Sequence, residues 1–422
     1  MAKSENRKDI NVYADWKELK APTPIGTLSA HATRGHEIFS FAYRKDWVNS
    51  KYAILLDPEL TLFTGPQFPS QGKANFGVFT DSSPDRWGRV LMQRREALAA
   101  RQEDRKVKQL FDSDYLLGVF DQFRMGGLRF KLDPDGPYLD SQKDYSAPPF
   151  IRLRELEAAS LRLEEDVNMD DAGLNESIML LLAPGASLGG ARPKASIIDP
   201  EGNLWISKFP SRQDDIDIGG WEAVVNQLAR HAGIQTAEGY ARKFTNRYHS
   251  FLTKRFDRIQ EQRIHFASAM TLMGLNDGVS AKEGISYLHL AECIVKYSAQ
   301  ANKDLKELWT RIVFNICVSN TDDHLRNHGF LLTPKGWILS PAYDMNPVVH
   351  ATGLHLNINE FDNSLDLDLA REVASRFRIL PAEMEEIIAK VLQSVKQWSE
   401  AAKELGISRA EMMRMESAFK VD

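Results

Sequence analysis

The 422-residue sequence predicts an α+β chain: a β-rich N-terminal part, a mixed middle, and a C-terminal lobe built almost wholly of helices. Three observations predict it. Apolar residues alternate through Asp9–Tyr13 and Phe39–Tyr43, as in half-buried strands. A glycine-rich turn then leads into two short apolar runs, Ala195–Ile198 and Leu204–Phe209. From His265 onward the apolar spacing is helical, interrupted by one hairpin.

Composition narrows the function classes. An apolar fraction of 43% and a charged fraction of 26% are those of an ordinary soluble globular protein, and a chain of this length divides into two or three units. A net charge of −5 argues against a dedicated nucleic-acid binder. No run approaches the roughly 18 apolar residues of a membrane helix, and the polar Met1–Lys8 lacks the apolar core of a signal peptide. Cys293 and Cys317 sit in apolar helical patterns and read as buried thiols of a reducing compartment. The expectation is a cytoplasmic protein with no membrane partner.

Taken in order, Asp9–Tyr13, Ile25–Leu28 and Phe39–Tyr43 form a small sheet. Asp81-Ser82-Ser83-Pro84 starts a helix, with Ser83 as its cap and Pro84 in the first turn. Its arginines, Arg86, Arg89, Arg94, Arg95, Arg101 and Arg105, read as a solvated or partner-facing surface rather than a phosphate site. Asp133–Pro137 through Pro149 is rich in Pro, Gly and Asp and reads as a linker. The expected domains are 1–148, 149–259 and 260–422.

Helical patterns at Leu153–Glu165 and Glu176–Leu182 precede Pro184-Gly185-Ala186-Ser187-Leu188-Gly189-Gly190-Ala191-Arg192-Pro193-Lys194. Small residues there let backbone N–H groups approach a polyanion, which makes Ser187, Gly189, Gly190, Ala191 and Lys194 candidate nucleotide-binding positions. It is not a Walker A loop, because Gly190 is followed by Ala191 rather than Lys. A bare turn explains the glycines alone; the hairpin that follows adds to them, with Lys208 in its otherwise apolar second strand. Glycine loop, hairpin and strand lysine is the order of a kinase small lobe. The helix Trp221–Ala232 stops at Gly233. Its Glu222 pairs with Lys208 in a kinase reading, although the helix dipole also accounts for a first-turn glutamate.

The helix from about Asn302 to Val318 buries the stripe Leu305, Leu308, Trp309, Ile312, Val313 and Ile316, with Asn302 or Asp304 as its cap. It delivers Asp322 and Asn327, the D-x-x-x-x-N spacing of a kinase catalytic loop. Asp322 then receives the acceptor hydroxyl's proton and Asn327 holds magnesium. A hairpin, Phe330–Leu332 and Trp337–Leu339 about Thr333–Gly336, returns the chain to deliver Asp344 as a second magnesium ligand. Asx residues are common as caps and turn formers; the hairpin and Asp344 in register favour the chemistry. ATP and Mg2+ are the expected cofactors. His324 and His328 stand four apart, but the acidic groups suit a hard cation better than zinc; His324 is expected to orient Asp322 or to cap the loop by a hydrogen bond. Helices follow at Leu367–Arg378, Pro381–Leu405 and Ser408–Phe419, with a stop at Gly406 and a capping box at Ser408–Glu411.

Thr321-Asp322-Asp323-His324-Leu325-Arg326-Asn327 followed by Pro341-Ala342-Tyr343-Asp344 resembles the HipA family of bacterial serine/threonine kinase toxins. The resemblance extends to Asp114–Phe120, Arg124–Phe130, Ser187–Lys194 and Arg255-Phe256-Asp257-Arg258. It implies a two-lobed kinase-like fold, autophosphorylation at Ser187, and Lys208 as the phosphate-binding lysine. Arg255 and Phe256 then lie in a hinge whose backbone reads adenine. It also implies a translation protein as substrate, aminoacyl-tRNA synthetases among them, and a helix-turn-helix antitoxin that carries the pair to operator DNA. Asp323, where the toxin that names the family has glycine, and Arg192-Pro193 are departures. Two other readings stay open: a catalytically silent module that holds a DNA-binding partner, and a kinase for a lipid or small metabolite.

Overall fold

Alternation in the first forty residues turns one face of each strand inward. The computed structural model describes residues 7–139, 149–165, 177–178, 180–181, 190, 192–245 and 247–421. Its first sheet is antiparallel: β1 (Arg7–Ala14), β2 (Thr23–Ala32), β3 (Glu37–Tyr43) and β4 (Leu128–Lys131), in the order β3-β2-β1-β4. Ile10, Val12, Leu28, Ala30, Phe39 and Phe41 are its buried face. Phe79 packs against both Phe41 and Phe130, tying β3 to β4 through ring contacts.

The chain forms two compact units, with boundaries at Arg212/Gln213, Phe256/Asp257 and Ala267/Ser268. The first contains the sheet, α1 (Arg86–Gln102), α2 (Asp112–Leu117), α3 (Leu153–Glu165) and the hairpin β5 (Lys194–Ile198)–β6 (Leu204–Lys208). It also contains Asp257–Ala267, which buried polar groups fasten in place. Arg258 donates to the Arg124 carbonyl at 2.6 Å, Asp257 accepts the Gly126 N–H at 2.8 Å, and Arg263 donates to the Asp121 carbonyl at 2.8 Å. The His265 ring stacks on Trp16 at 5.1 Å, and burial pushes its pKa down to about 3.

The cap of α1 differs from expectation. Asp85, not Ser83, caps it by accepting the Gly88 N–H, and Pro84 lies outside the helix. The Ser83 hydroxyl instead donates back to the Phe79 carbonyl. Arg105 falls beyond the helix end and pairs with Glu96 and Glu103. The expected boundary near 148 adjoins 140–148, which is outside the described residues; of the expected helix Glu176–Leu182, residues 177, 178, 180 and 181 are helical and 176, 179 and 182 are outside the described residues.

The second unit holds α4 (Ile218–Ala232), the hairpin β7 (Gly239–Arg242)–β8 (Ser250–Lys254), α5 (Tyr287–Tyr297), α6 (Ala301–Cys317) and the hairpin β9 (Gly329–Thr333)–β10 (Gly336–Leu339). It ends with α7 (Pro381–Val395), α8 (Trp398–Glu404) and α9 (Arg409–Met415). The C-terminal region is therefore helical with one inserted hairpin. Every residue of the predicted α6 stripe is buried. Neither Asn302 nor Asp304 caps α6; the Asp304 carboxylate accepts from Ser298, Gln300 and the Leu339 N–H, which pins β10 to the helix start. The single helix expected over Pro381–Leu405 breaks between Val395 and Trp398. Half of the expected capping box forms: Ser408 accepts the Glu411 N–H, but the Glu411 carboxylate turns to the Asp217 N–H and Trp221 Nε1. Both cysteines are buried and free, their thiols pushed up to about 12. No helix among the described residues is long and apolar enough to cross a membrane.

Candidate active site

α6 ends at Cys317, and Ser319 takes a left-handed φ of +51° that turns the chain out of the helix axis. The next ten residues fold back on themselves. The Asp322 carbonyl accepts the His324 N–H at 2.9 Å, and the His324 carbonyl accepts the Asn327 N–H at 2.8 Å. Asn327 Nδ2 donates to the same Asp322 carbonyl at 2.9 Å, so its amide can stand only one way. Its Oδ1 is consequently buried with no hydrogen-bond partner among the described residues. The Asp322 side chain is exposed, whereas Asp323 beside it is 4% exposed.

β9–β10 pairs Phe330 with Leu339 and Thr333 with Gly336, where φ is +124°. This is the hairpin expected from the Thr-Pro-Lys-Gly turn. It returns the chain to Asp344, itself left-handed with φ +60°. Main-chain groups take part in the hydrogen bonds that hold this second loop against the first. The Tyr343 hydroxyl donates to the Arg326 carbonyl at 2.6 Å, and the Val348 N–H donates to the Ser319 carbonyl at 3.1 Å. The neighbours of Asn327 and Asp344 thus touch.

Asp323 Oδ2 accepts three donors: Tyr287 Oη at 2.7 Å, Asn315 Nδ2 at 2.8 Å and His328 Nε2 at 2.9 Å. Burial acts to raise this carboxyl, but the facing His328 imidazole, the Tyr287 hydroxyl and nearby His324 hold it below the ordinary carboxylate value. Burial and the Asp323 charge together push the Tyr287 phenol far above its usual range. The sequence assigns no role to Tyr287 or Asn315, and Asp323 stands out in it only as a departure from the family pattern. The available signal was Asn315, a polar residue 2% exposed inside an apolar helix. His324 is placed otherwise than expected: its main-chain N–H, not its ring, contacts Asp322, and its Nδ1 is buried without a partner among the described residues. The ring lies edge-on to His355 at 5.7 Å. The expected ring contact to a carboxylate is made by His328, to Asp323.

In the first unit, Lys208 ends β6, half-buried and directly across the ladder from Lys194. Lys194, expected at a nucleotide, faces a carboxylate in the ligand-free protein. It is 1% exposed, and its ammonium contacts Asp85 at 2.7 Å and the Gly190 carbonyl at 3.3 Å. Gly190 adopts φ +77°, which a side chain disfavours. Ser187, Gly189 and Ala191 lie outside the described residues. In the second unit, Glu222 is 4% exposed in the second turn of α4, because that helix begins at Ile218 with Asp217 as cap. A first-turn dipole role no longer accounts for it. Arg255 is buried, and the Phe256 ring meets Tyr343 at 5.4 Å.

Among the described residues no three His, Cys, Asp or Glu side chains converge as a metal centre. An Asn–Asp oxygen set for magnesium is a different donor set, and the orphaned, oriented Oδ1 of Asn327 fits it.

A family model described as the HipA-like C-terminal domain matches residues 186–399. A Haemophilus influenzae protein named "Putative kinase" is 25% identical over 183 residues, 38% of this chain and 52% of its own length. "Putative kinase Y4mE" of Sinorhizobium fredii is 25% identical over 222 residues, 45% of this chain and 51% of its own. The chain thus spans about half the length of these curated relatives. Among solved structures, Shewanella oneidensis HipA, crystallised with HipB and operator DNA, aligns over 97% of this chain and 94% of its own, with TM-score 0.62 and 18% identity, so the two share a fold. With its α+β architecture of N-terminal sheet and helical C-terminal region, and a family match over half its length, the chain belongs to the HipA family.

Proposed function

We propose that this chain is an ATP- and magnesium-dependent kinase that transfers a γ-phosphoryl group to a serine or threonine hydroxyl of a protein. Asn327 carries the reading: its amide nitrogen is anchored on the Asp322 carbonyl and its oxygen is left buried and unpaired among the described residues. Asn327 and Asp344 are the proposed magnesium ligands. Bound magnesium supplies charge neutralisation on the phosphates. Asp322, exposed at the head of the loop, orients the acceptor hydroxyl and takes its proton. Lys208 and the Gly189-Gly190 backbone, with Ser187 and Ala191, bind the phosphates; Glu222 is the proposed partner of Lys208, and Arg255-Phe256 the adenine-side segment.

The family further supports autophosphorylation at Ser187, a translation protein such as an aminoacyl-tRNA synthetase as substrate, and a cytoplasmic setting. A helix-turn-helix antitoxin, with operator DNA reached through it, is the proposed partner by analogy with the Shewanella complex. The test is incubation of the purified chain with radiolabelled ATP and Mg2+, alone and with nucleotide-depleted lysate. ATP-dependent label on protein serine or threonine, absent with Asp322→Gln, is expected. Label only in lipids or small molecules overturns the acceptor class, and no label at all overturns the kinase reading.

A further inference from the structure

A carboxylate only accepts hydrogen bonds, whereas a carboxamide has one accepting and one donating end. A buried carboxylate therefore dictates which way a neighbouring amide stands, and that amide dictates the next. Such a chain runs through the core of the second unit. Asp323 draws Asn315 Nδ2 to it at 2.8 Å. Asn315 Oδ1, facing away, accepts Asn320 Nδ2 at 3.0 Å. Asn320 Oδ1 in turn accepts the main-chain N–H of Asn346 at 3.1 Å. Asn315, Asn320 and Asp323 are 2%, 0% and 4% exposed, so water does not compete for these groups. The chain starts four residues before Asn327 and ends two residues after Asp344.

We propose that Asn320 is a positioning residue that sets the spacing of the two metal-binding loops, with Asp323 as the anchor that polarises the relay. The inference rests on the reading of Asn327 and Asp344 as magnesium ligands. Magnesium tolerates little deviation from octahedral geometry with oxygens at about 2.0–2.1 Å. Ligands on separate loops satisfy it only where something fixes the loops' relative height. The Tyr343–Arg326 bond ties the loops before Asp344, and on its far side Asn320 ties them next to Asp344, two residues nearer than the Val348–Ser319 bond. Two ties on opposite sides of a residue fix its direction as well as its place.

The test uses the full chain with Mn2+ and a non-hydrolysable ATP analogue. Manganese affinity is read by electron paramagnetic resonance, and hydrogen exchange of the Asn346 amide is read without ligand. Asn320→Ala is expected to weaken Mn2+ binding about 10- to 100-fold, as loss of outer-shell support does, and to deprotect the Asn346 amide. Its phosphoryl transfer should require correspondingly more Mg2+ while kcat at saturating metal recovers. Asp323→Asn, equal in volume, should move the Asn346 amide in the same sense from 23 positions away. Where Asn320→Ala does not fold, the isosteric Asn320→Asp faces Asn315 Oδ1 with an oxygen instead of an N–H and is expected to weaken Mn2+ as well. A folded variant set that binds Mn2+ within twofold of wild type overturns the relay and leaves the kinase reading standing. A wild-type chain that binds neither Mn2+ nor the analogue overturns both.

Discussion

The Tyr343 hydroxyl donates a 2.6 Å hydrogen bond to the main-chain carbonyl of Arg326. It joins the residue before Asp344 to the residue before Asn327. Tyr343→Phe removes one oxygen and keeps the ring that meets Phe256. A neutral hydrogen bond contributes about 1 kcal/mol, so stability should fall by roughly that amount, while phosphoryl transfer falls about tenfold or more through misplacement of both loops. An unchanged rate with the expected stability loss would make the bond purely structural.

Asp322→Gln should lower phosphoryl transfer by at least about a hundredfold, the usual range for loss of a positioned base. ATP affinity should stay within a few-fold, because the role belongs to the transition state. Activity within tenfold of wild type would refute the assignment.

Asp344 sits at φ +60°, a conformation Asn adopts readily and Ala does not. Asp344→Asn therefore isolates the lost charge, and Asp344→Ala adds backbone strain. Both should depress activity. The Asn variant should respond to excess Mg2+ with little change in melting temperature, and the Ala variant should melt lower. Equal melting temperatures would remove the conformational argument.

Lys194→Met should destabilise the ligand-free protein by up to roughly 3–5 kcal/mol, because it removes one partner of a buried ion pair, the ammonium 2.7 Å from the Asp85 carboxylate. Lys194→Met with Asp85→Asn should recover part of that loss. If Lys194→Met lowers only ATP affinity and leaves denaturant midpoints unchanged, the residue serves the nucleotide after all.

Asp57, wholly buried, is pushed up to about 6 by burial, against the pull of N–H bonds from Glu59 and Val78. Its folded state holds a proton that the unfolded chain releases from about pH 4. Its contribution to stability is therefore fully present below the unfolded value and is lost as pH rises through about 6, by up to about 3 kcal/mol for a shift of this size. Asp57→Asn should flatten that part of the pH–stability curve measured by chemical denaturation. A curve that still falls with the same slope would assign the effect elsewhere.

The first sheet, the α6 stripe and the β9–β10 hairpin were legible because each has a local signal: period two, period 3.6, or turn residues. The folded-back loop between Asp322 and Asn327 was legible as a local feature because both residues lie five apart on one continuous segment. The Asp323 cluster was not, because Tyr287 stands 36 residues away and arrives only through packing of α5. Lys194 and Lys208 show the same limit within one hairpin. They face each other across the ladder with identical side chains, and only tertiary context places one ammonium on Asp85. The capping box at Ser408 formed only in half because the Glu411 carboxylate found a distant partner in Trp221, and Ser83 lost its cap role to a nearby one, the Phe79 carbonyl.

The return of Asp257–Ala267 to the first unit bears on how the chain is made. Vectorial synthesis delivers residues 7–212 long before Arg258, Arg263 and His265 leave the ribosome. Until then Trp16 lacks its stacking partner, and the carbonyls of Asp121 and Arg124 lack the guanidinium groups that approach them at 2.8 and 2.6 Å. The N-terminal unit therefore completes its fold late, after a stretch of the other unit has already been translated. A fragment cut at Arg212 leaves those sites open, and an expression boundary for this unit has to carry residues 257–267 with it.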